Sequence, residues 1–146
     1  MKAKKTYSQK PSEVKREWYL IDASEATLGR VATRVAQLLN GKRKITFTPH
    51  VDNGDFVIVT NASKVQITGD KLTDKRYYRH SGYIGNMKSK SLGEMMERSP
   101  EQVVILAVKG MIPKNKLAAG RLARLKVYAG EEHNHAAQTP KKVEVK

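Results

Sequence analysis

Residues 18–59 read WYLIDASEATLGRVATRVAQLLNGKRKITFTPHVDNGDFVIV, and this stretch decides the fold. Trp18–Ile21 is a short apolar run of strand type. Leu28, Val31, Ala32, Val35, Leu38 and Leu39 then recur at spacings of three and four, which places them on one face of a helix. Thr27 precedes the pattern and Gly41 follows it as a stop signal. Phe56–Val59 has no polar alternation. An unbroken apolar run of this length reads as a strand buried on both faces, as in a parallel sheet with helices on either side. Strand, helix, buried strand is a βαβ unit, whose crossover is expected to be right-handed. The expected core is therefore α/β.

Working outward, Val65–Thr68 reads as a further strand ended by Gly69-Asp70. Asp74–His80 (DKRYYRH) alternates poorly, and Gly82 and Gly85 make the next segment a flexible loop. Ser91 and Glu94 form a capping box ahead of Met95-Met96. Ser99-Pro100 supply a cap and a first-turn proline for another helix, whose apolar run Val103–Val108 predicts burial. Gly110 and Pro113 stop it. A third helical stretch covers residues 115–124, and 126–128 form a short edge strand. The reading divides the chain into a basic N-terminal extension (1–16), an α/β RNA-binding domain (17–130) and a polar, irregular C-terminal tail (131–146). The first sixteen residues carry six Lys or Arg against one Glu and show no period. They read as an arm ordered only on a partner, or as a solubilising tail, and in either case as dispensable for folding.

Charge points to the partner. The formal net charge is +14, and between Glu101 and Glu131 there is no acidic residue at all. That interval holds Lys109, Lys114, Lys116, Arg121, Arg124 and Lys126. Globular surfaces normally intersperse both signs, so a one-sign surface implies a partner that supplies the other, and RNA is the abundant polyanion. These six are the principal candidate phosphate-binding residues. Lys42, Arg43 and Lys44 follow the helix stop, where cations either contact phosphate or simply suit the helix dipole. Lys75, Arg76, Arg79 and His80 flank Tyr77 and Tyr78, a composition able to grip phosphates and stack bases. The same tyrosines could equally pack on the sheet. Lys88 and Lys90 beyond the glycine loop, and Lys4 and Lys5 in the arm, complete the candidate RNA-binding set.

Several classes are disfavoured. There is no cysteine, so no disulfide and no thiolate metal site. No apolar run approaches the ~20 residues of a membrane helix, and the basic start lacks the apolar stretch of a secretory signal. No glycine-rich nucleotide fingerprint follows Ile21. His133-Asn134-His135 has no cysteine partner and no metalloprotease frame. Gly82-Tyr83-Ile84-Gly85 spells the backbone-clamping GXXG, but that loop belongs between two helices, and here a strand-like segment precedes it. His50, Asp52 and Asp55 could form a metal-dependent nuclease site. Asp52-Asn53-Gly54-Asp55 reads better as turn chemistry ahead of the Phe56 strand.

The motifs also carry a resemblance. Val108-Lys109-Gly110-Met111-Ile112-Pro113-Lys114 resembles the signature of the large-subunit ribosomal protein family thirteen (universal L thirteen, bacterial type). Trp18-Tyr19 with Asp22-Ala23, Thr27-Leu28-Gly29-Arg30, Thr48-Pro49-His50-Val51-Asp52, Tyr77–Tyr83 and Glu132–Gln138 are similar to it in order, over residues 7–140. Ala118-Ala119 depart from the family pattern, which has Gly-Arg there; Gly120-Arg121 stand two residues later. The resemblance implies a three-layer α/β/α fold with a mostly parallel central sheet. It implies a structural constituent of the large subunit that binds and stabilises large-subunit ribosomal RNA during assembly, beside neighbouring large-subunit proteins. It implies no catalysis, no cofactor, no membrane and no small-molecule substrate, and a cytoplasmic, ribosome-bound location. The alternative is a metal-dependent RNA-processing enzyme using His50, Asp52 and Asp55.

Overall fold

The two apolar runs pair side by side. Strand β1 (Trp18–Asp22) and strand β2 (Phe56–Thr60) are parallel, with Trp18 opposite Phe56 and Asp22 opposite Thr60, and helix α1 (Leu28–Asn40) connects them. This is the βαβ unit predicted above. Gly41 ends α1 at φ 74°, in the left-handed region, where its N–H reaches the carbonyls of Gln37 and Leu38. A Cβ there would lie 2.7 Å from the Asn53 carbonyl oxygen, so both conformation and space require glycine. The protein is seen as a computed structural model that describes residues 6–145.

Beyond β2 come a short helix α2 (Lys71–Asp74), strands β3 (Arg76–His80) and β4 (Met87–Ser91), and helices α3 (Leu92–Arg98), α4 (Pro100–Met111) and α5 (Ala118–Ala123). Strands β5 (Leu125–Val127) and β6 (Lys141–Lys142) follow. The central sheet has the order β5-β2-β1-β6 with every pair parallel. The architecture is three-layer α/β/α. One sheet face presents Tyr19, Ile21, Val57, Val59 and Leu125 to a core shared with α1 (Val31, Val35, Leu39) and α4 (Val103, Val104, Val108). The other face presents Trp18, whose ring stacks on Phe56 at 4.3 Å and lies 5.2 Å from His135. That third layer is thin, built from the segment after Gly130 with a 3-10 turn at Ala136–Gln138. Val57, Ile58 and Val59 are all fully buried, as an uninterrupted apolar strand between two layers must be.

Local signals position the helices. The Ser91 hydroxyl accepts from the Glu94 N–H at 3.2 Å while Glu94 Oε2 accepts from the Ser91 N–H at 3.1 Å, the predicted capping box. Ser99 precedes Pro100 but makes no side-chain cap bond, so α4 rests on its buried valines.

Four segments differ from the sequence expectation. Val65–Thr68 is not a strand; only Gln66 bridges the sheet direction, pairing in parallel with Thr27. Residues 76–91, read as a poorly alternating segment and a loop, form an antiparallel hairpin. Helix α5 starts at Ala118, which leaves Lys114 and Lys116 in the preceding link. The tail is not wholly irregular: β6 pairs in parallel with β1, and Val143 and Val145 pack on the core. Two isolated valines among polar residues give no period for a strand reading.

Candidate nucleic-acid interface

Three of the candidate cations turn inward. The loop from Thr48 to Asp55 is pinned against the end of α1, and its carboxylates collect cations. Arg124 donates to Asp52 through both Nη atoms, at 2.6 Å and 2.7 Å, and reaches the Leu39 carbonyl with Nη2 at 3.4 Å. Arg121 Nε lies 3.5 Å from Asp52 Oδ1, near enough for charge attraction but without hydrogen-bond geometry; Nε and Nη1 have no hydrogen-bond partner. Arg121 is 1% exposed and Arg124 8%. Lys44 Nζ donates to Asp55 Oδ1 at 2.6 Å and to the Lys15 carbonyl at 2.8 Å. Gly54 makes this approach possible, since a Cβ on it would sit 1.7 Å from the Leu39 carbonyl oxygen and 2.8 Å from Arg124 Nη2. Burial by itself would raise the Asp52 carboxyl, but the Arg124 hydrogen bonds and the charges of Arg124 and Arg121 outweigh it and hold Asp52 below the usual carboxylate range.

This arrangement corrects two expectations about placement. Arg121 and Arg124 do not present one outward face with Lys114 and Lys116, because both are buried against the half-buried Asp52 carboxylate. Asp52 and Asp55 face separate cations; among the described residues no three His, Asp or Glu side chains group to hold a metal ion. His50 is exposed and lies 3.4 Å from Ser8 Oγ. The arm is engaged here too. Gln9 is buried and its N–H donates to Thr48 Oγ1 at 3.2 Å, while Arg16 Nη2 donates to the Asp52 carbonyl at 3.3 Å. Lys4 and Lys5 lie outside the described residues.

The remaining described candidate cations are exposed, apart from the half-buried Lys90. The hairpin β3–β4 carries the densest group. Its register sets Arg79 directly opposite Lys88 and Tyr77 opposite Lys90. Side chains alternate across a strand, so Lys75, Tyr77, Arg79, Lys88 and Lys90 share one face. Lys75 Nζ lies 5.4 Å from the Tyr77 ring centre, in cation–π range. The other face carries Arg76, Tyr78, His80 and Met87. Tyr77 packs against the core, whereas Tyr78 is 65% exposed, so one tyrosine anchors the ribbon and the other is open to solvent. The tip turns through Gly82 at φ 95° and Gly85 at φ 73°, and there Tyr83 and Ile84 are exposed. Here GXXG joins two strands rather than two helices. Like charges directly opposite across an antiparallel pair are destabilising, and a lone two-stranded ribbon is marginal in water. No carboxylate among the described residues pairs with the hairpin's cations.

Lys109 is exposed in the last turn of α4, Lys114 and Lys116 on the α4–α5 link, and Lys126 on the edge strand β5. Lys42 and Pro113 line one cavity of about 400 Å³, so the exposed Lys42–Arg43 pair sits beside that link.

Arg43 also belongs to a second group, whose other members, Arg30, Arg34 and Lys142, were not singled out from the sequence. Arg30 and Arg34 lie one turn apart on α1, and with Arg43 and Lys142 they line a cleft of about 760 Å³. The spacing of four was legible, but Lys142 joins them only because β6 returns to the sheet. Nearby, the Tyr19 hydroxyl donates to Glu17 Oε2 at 2.8 Å. Burial first, and that bond second, push Tyr19 up to about 12. The same bond, with Lys141, holds Glu17 below the usual range.

Fold and surface together define a class: a parallel α/β scaffold whose acids in the 48–55 loop lock the domain internally, leaving uncompensated cations outside. The chain belongs to the ribosomal protein L13 family, whose family model matches residues 16–134. It is 56% identical over 141 residues to the large ribosomal subunit protein uL13 of Methylococcus capsulatus, covering 97% of this chain and 99% of that one. The uL13 of Kocuria rhizophila is 58% identical over 140 residues (96% and 95%), and that of Symbiobacterium thermophilum 57% over 141 (97% and 99%). The family is one of structural ribosomal proteins and not of enzymes.

Proposed function

We propose that this protein is a structural constituent of the large ribosomal subunit, binding and stabilising large-subunit ribosomal RNA during assembly. Its partners in this reading are that RNA and neighbouring large-subunit proteins, and its location is the cytoplasm, on the ribosome. The relatives named large ribosomal subunit protein uL13 match nearly the whole chain, which supports the ribosomal role. The observation that carries the RNA reading is the hairpin. A ribbon that opposes Arg79 with Lys88 sets like charges against each other, offset in the free protein only by the Lys75–Tyr77 contact and the packing of Tyr77. A phosphate backbone laid along that face relieves the repulsion and gains counterion release. At the tip the exposed Tyr83 offers a ring on which an unpaired base stacks. Lys109, Lys114, Lys116 and Lys126, with Lys42 and Arg43, extend the cationic surface. Arg121, Arg124 and Lys44 serve the interface indirectly, by holding the domain that presents it.

The test is binding to large-subunit ribosomal RNA across a salt series. Each phosphate contact contributes roughly 0.7–0.9 to the slope of log K against log salt. Replacing Lys75, Arg79, Lys88 and Lys90 together by Gln should lower that slope by about 2.8–3.6 and, with the like-charge opposition gone, leave thermal stability equal to or slightly above wild type. A wild-type slope near zero, or RNA turnover on adding Mg²⁺, refutes the reading.

A further inference from the structure

We infer that the groove between helices α1 and α4 is a docking site for one amphipathic, acid-flanked helix of a protein partner, and that this partner holds the chain while it is free of RNA. The docking stands apart from the RNA-binding reading above; the competition with RNA rests on it. The groove encloses about 780 Å³. Its lining is chiefly apolar. Leu28 and Leu92 reach it from the buried core, while Leu106 and Met111 of α4 stay 36% and 45% exposed beside it. The fold leaves that apolar surface uncovered, and a contiguous exposed patch of this kind marks an interaction site. Two glycines support the same conclusion. Gly29 stands in the first turn of α1, and Gly110, read from the sequence as a stop, stands inside the last turn of α4. Neither has a positive φ, and a Cβ on either would meet nothing within 4 Å. Neither conformation nor internal packing requires glycine there, and within a helix it costs stability relative to alanine. Both glycines line the groove, where a missing side chain lets a partner approach the backbone closely.

The chemistry of the walls selects the occupant. Helices α1 and α4 already bond their backbone groups internally, so the groove offers side-chain burial and not strand pairing. That suits a helix inserting apolar residues spaced three and four apart. Charge then selects its flanks. Lys71 and Lys75 line the groove and Lys109 adjoins Gly110, and among the described residues none of the three makes an ion pair. The one carboxylate in the lining is Asp74, so the rim is net cationic. RNA would satisfy the lysines but set Leu106 and Met111 against a charged backbone. An apolar helix face bordered by acids satisfies both. Lys75 also lies on the hairpin face proposed for RNA, so partner and RNA compete for it. That competition places the partner on the unassembled protein.

The experiment uses the full chain and a fluorescent synthetic peptide, with Leu at helical spacing on one face and Glu along its flanks. Two control peptides replace every Leu by Ser or every Glu by Lys. Anisotropy reads affinity at physiological salt, and thermal unfolding checks the fold. The Leu–Glu peptide should bind at least about tenfold more tightly than the Ser control, the difference that burial of one leucine makes. Gly110→Leu fills the groove, so it should weaken that peptide by about 10–100-fold while the melting temperature stays equal or rises. Lys71→Glu, at an exposed rim position, should weaken it by about twofold to fivefold and improve binding of the Lys-flanked control. Saturating peptide should weaken binding of large-subunit ribosomal RNA, and the RNA should release the peptide in turn. Equal binding of the Leu and Ser peptides, or undiminished binding by Gly110→Leu, overturns the docking site. A loss of RNA affinity in Gly110→Leu with peptide binding unchanged assigns the groove to RNA and overturns it as well. Peptide and RNA bound together without mutual effect overturn the competition. A flat wild-type salt slope for RNA overturns both the RNA reading and the competition, while the peptide series decides the docking by itself.

Discussion

Replacing Arg124 by Gln separates the two roles that the sequence and the structure assign to it. As an exposed phosphate contact it would be nearly neutral for stability, within about 0.5 kcal/mol. In the structure its guanidinium makes two short bonds to Asp52 and a third to the Leu39 carbonyl, and its side chain is only 9% exposed. Removing one member of a buried pair costs about 3–5 kcal/mol, because the other charge stays behind without its partner, and Asp52, 18% exposed, puts this pair toward the lower end. Arg121 remains near Asp52 but without hydrogen-bond geometry, so it recovers only part of the loss. Against a total stability of about 5–15 kcal/mol this is a large fraction. For a chain of this size each kcal/mol moves the melting temperature by about 2–4 °C, so the fall should be about 6–20 °C. Calorimetry on the variant measures it, and a double-mutant cycle with Asp52→Asn should return a coupling of about 1.5–3 kcal/mol. Melting within about 2 °C of wild type, together with a lower salt slope for RNA, would refute the internal-lock argument and return Arg124 to the surface.

Three further outcomes follow from the same geometry. Gly54→Ala should destabilise by more than about 4 kcal/mol and yield mainly unfolded protein in circular dichroism, since its Cβ would overlap the Leu39 carbonyl oxygen; a normally folded variant would show that the loop moves freely. Asp52 has a lowered folded-state value, so its contribution is present above the unfolded value near pH 3.9 and is lost as pH falls through the folded one. The stability gap between wild type and Asp52→Asn, read by urea titration, should therefore be widest at neutral pH and shrink below about pH 4; a constant gap contradicts the pairing. Deleting residues 1–16 should cost about 1–3 kcal/mol, because the Gln9, Lys15 and Arg16 bonds to the 44–55 region go with it. Unchanged melting would restore the reading of a free arm.

The sequence alone determined the parts of this protein that depend on local period and on composition. Apolar spacing in 28–39, the unbroken run at 56–59 and the capping residues at 91–94 each constrain neighbours within one turn or one strand, so β1, α1, β2 and α3 were legible from them. The +14 charge and the ordered motifs gave the family without any coordinates. Tertiary structure decided which cations face out, since a charge looks the same in sequence whether its carboxylate is four residues away or seventy-two, as between Asp52 and Arg124. The hairpin escaped because its strands are polar on both faces and bury almost nothing, leaving period two without an apolar signal. The Arg30–Lys142 cleft escaped because it joins residues at opposite ends of the chain. Long-range pairing is set by how the layers close, and no local pattern encodes that closure.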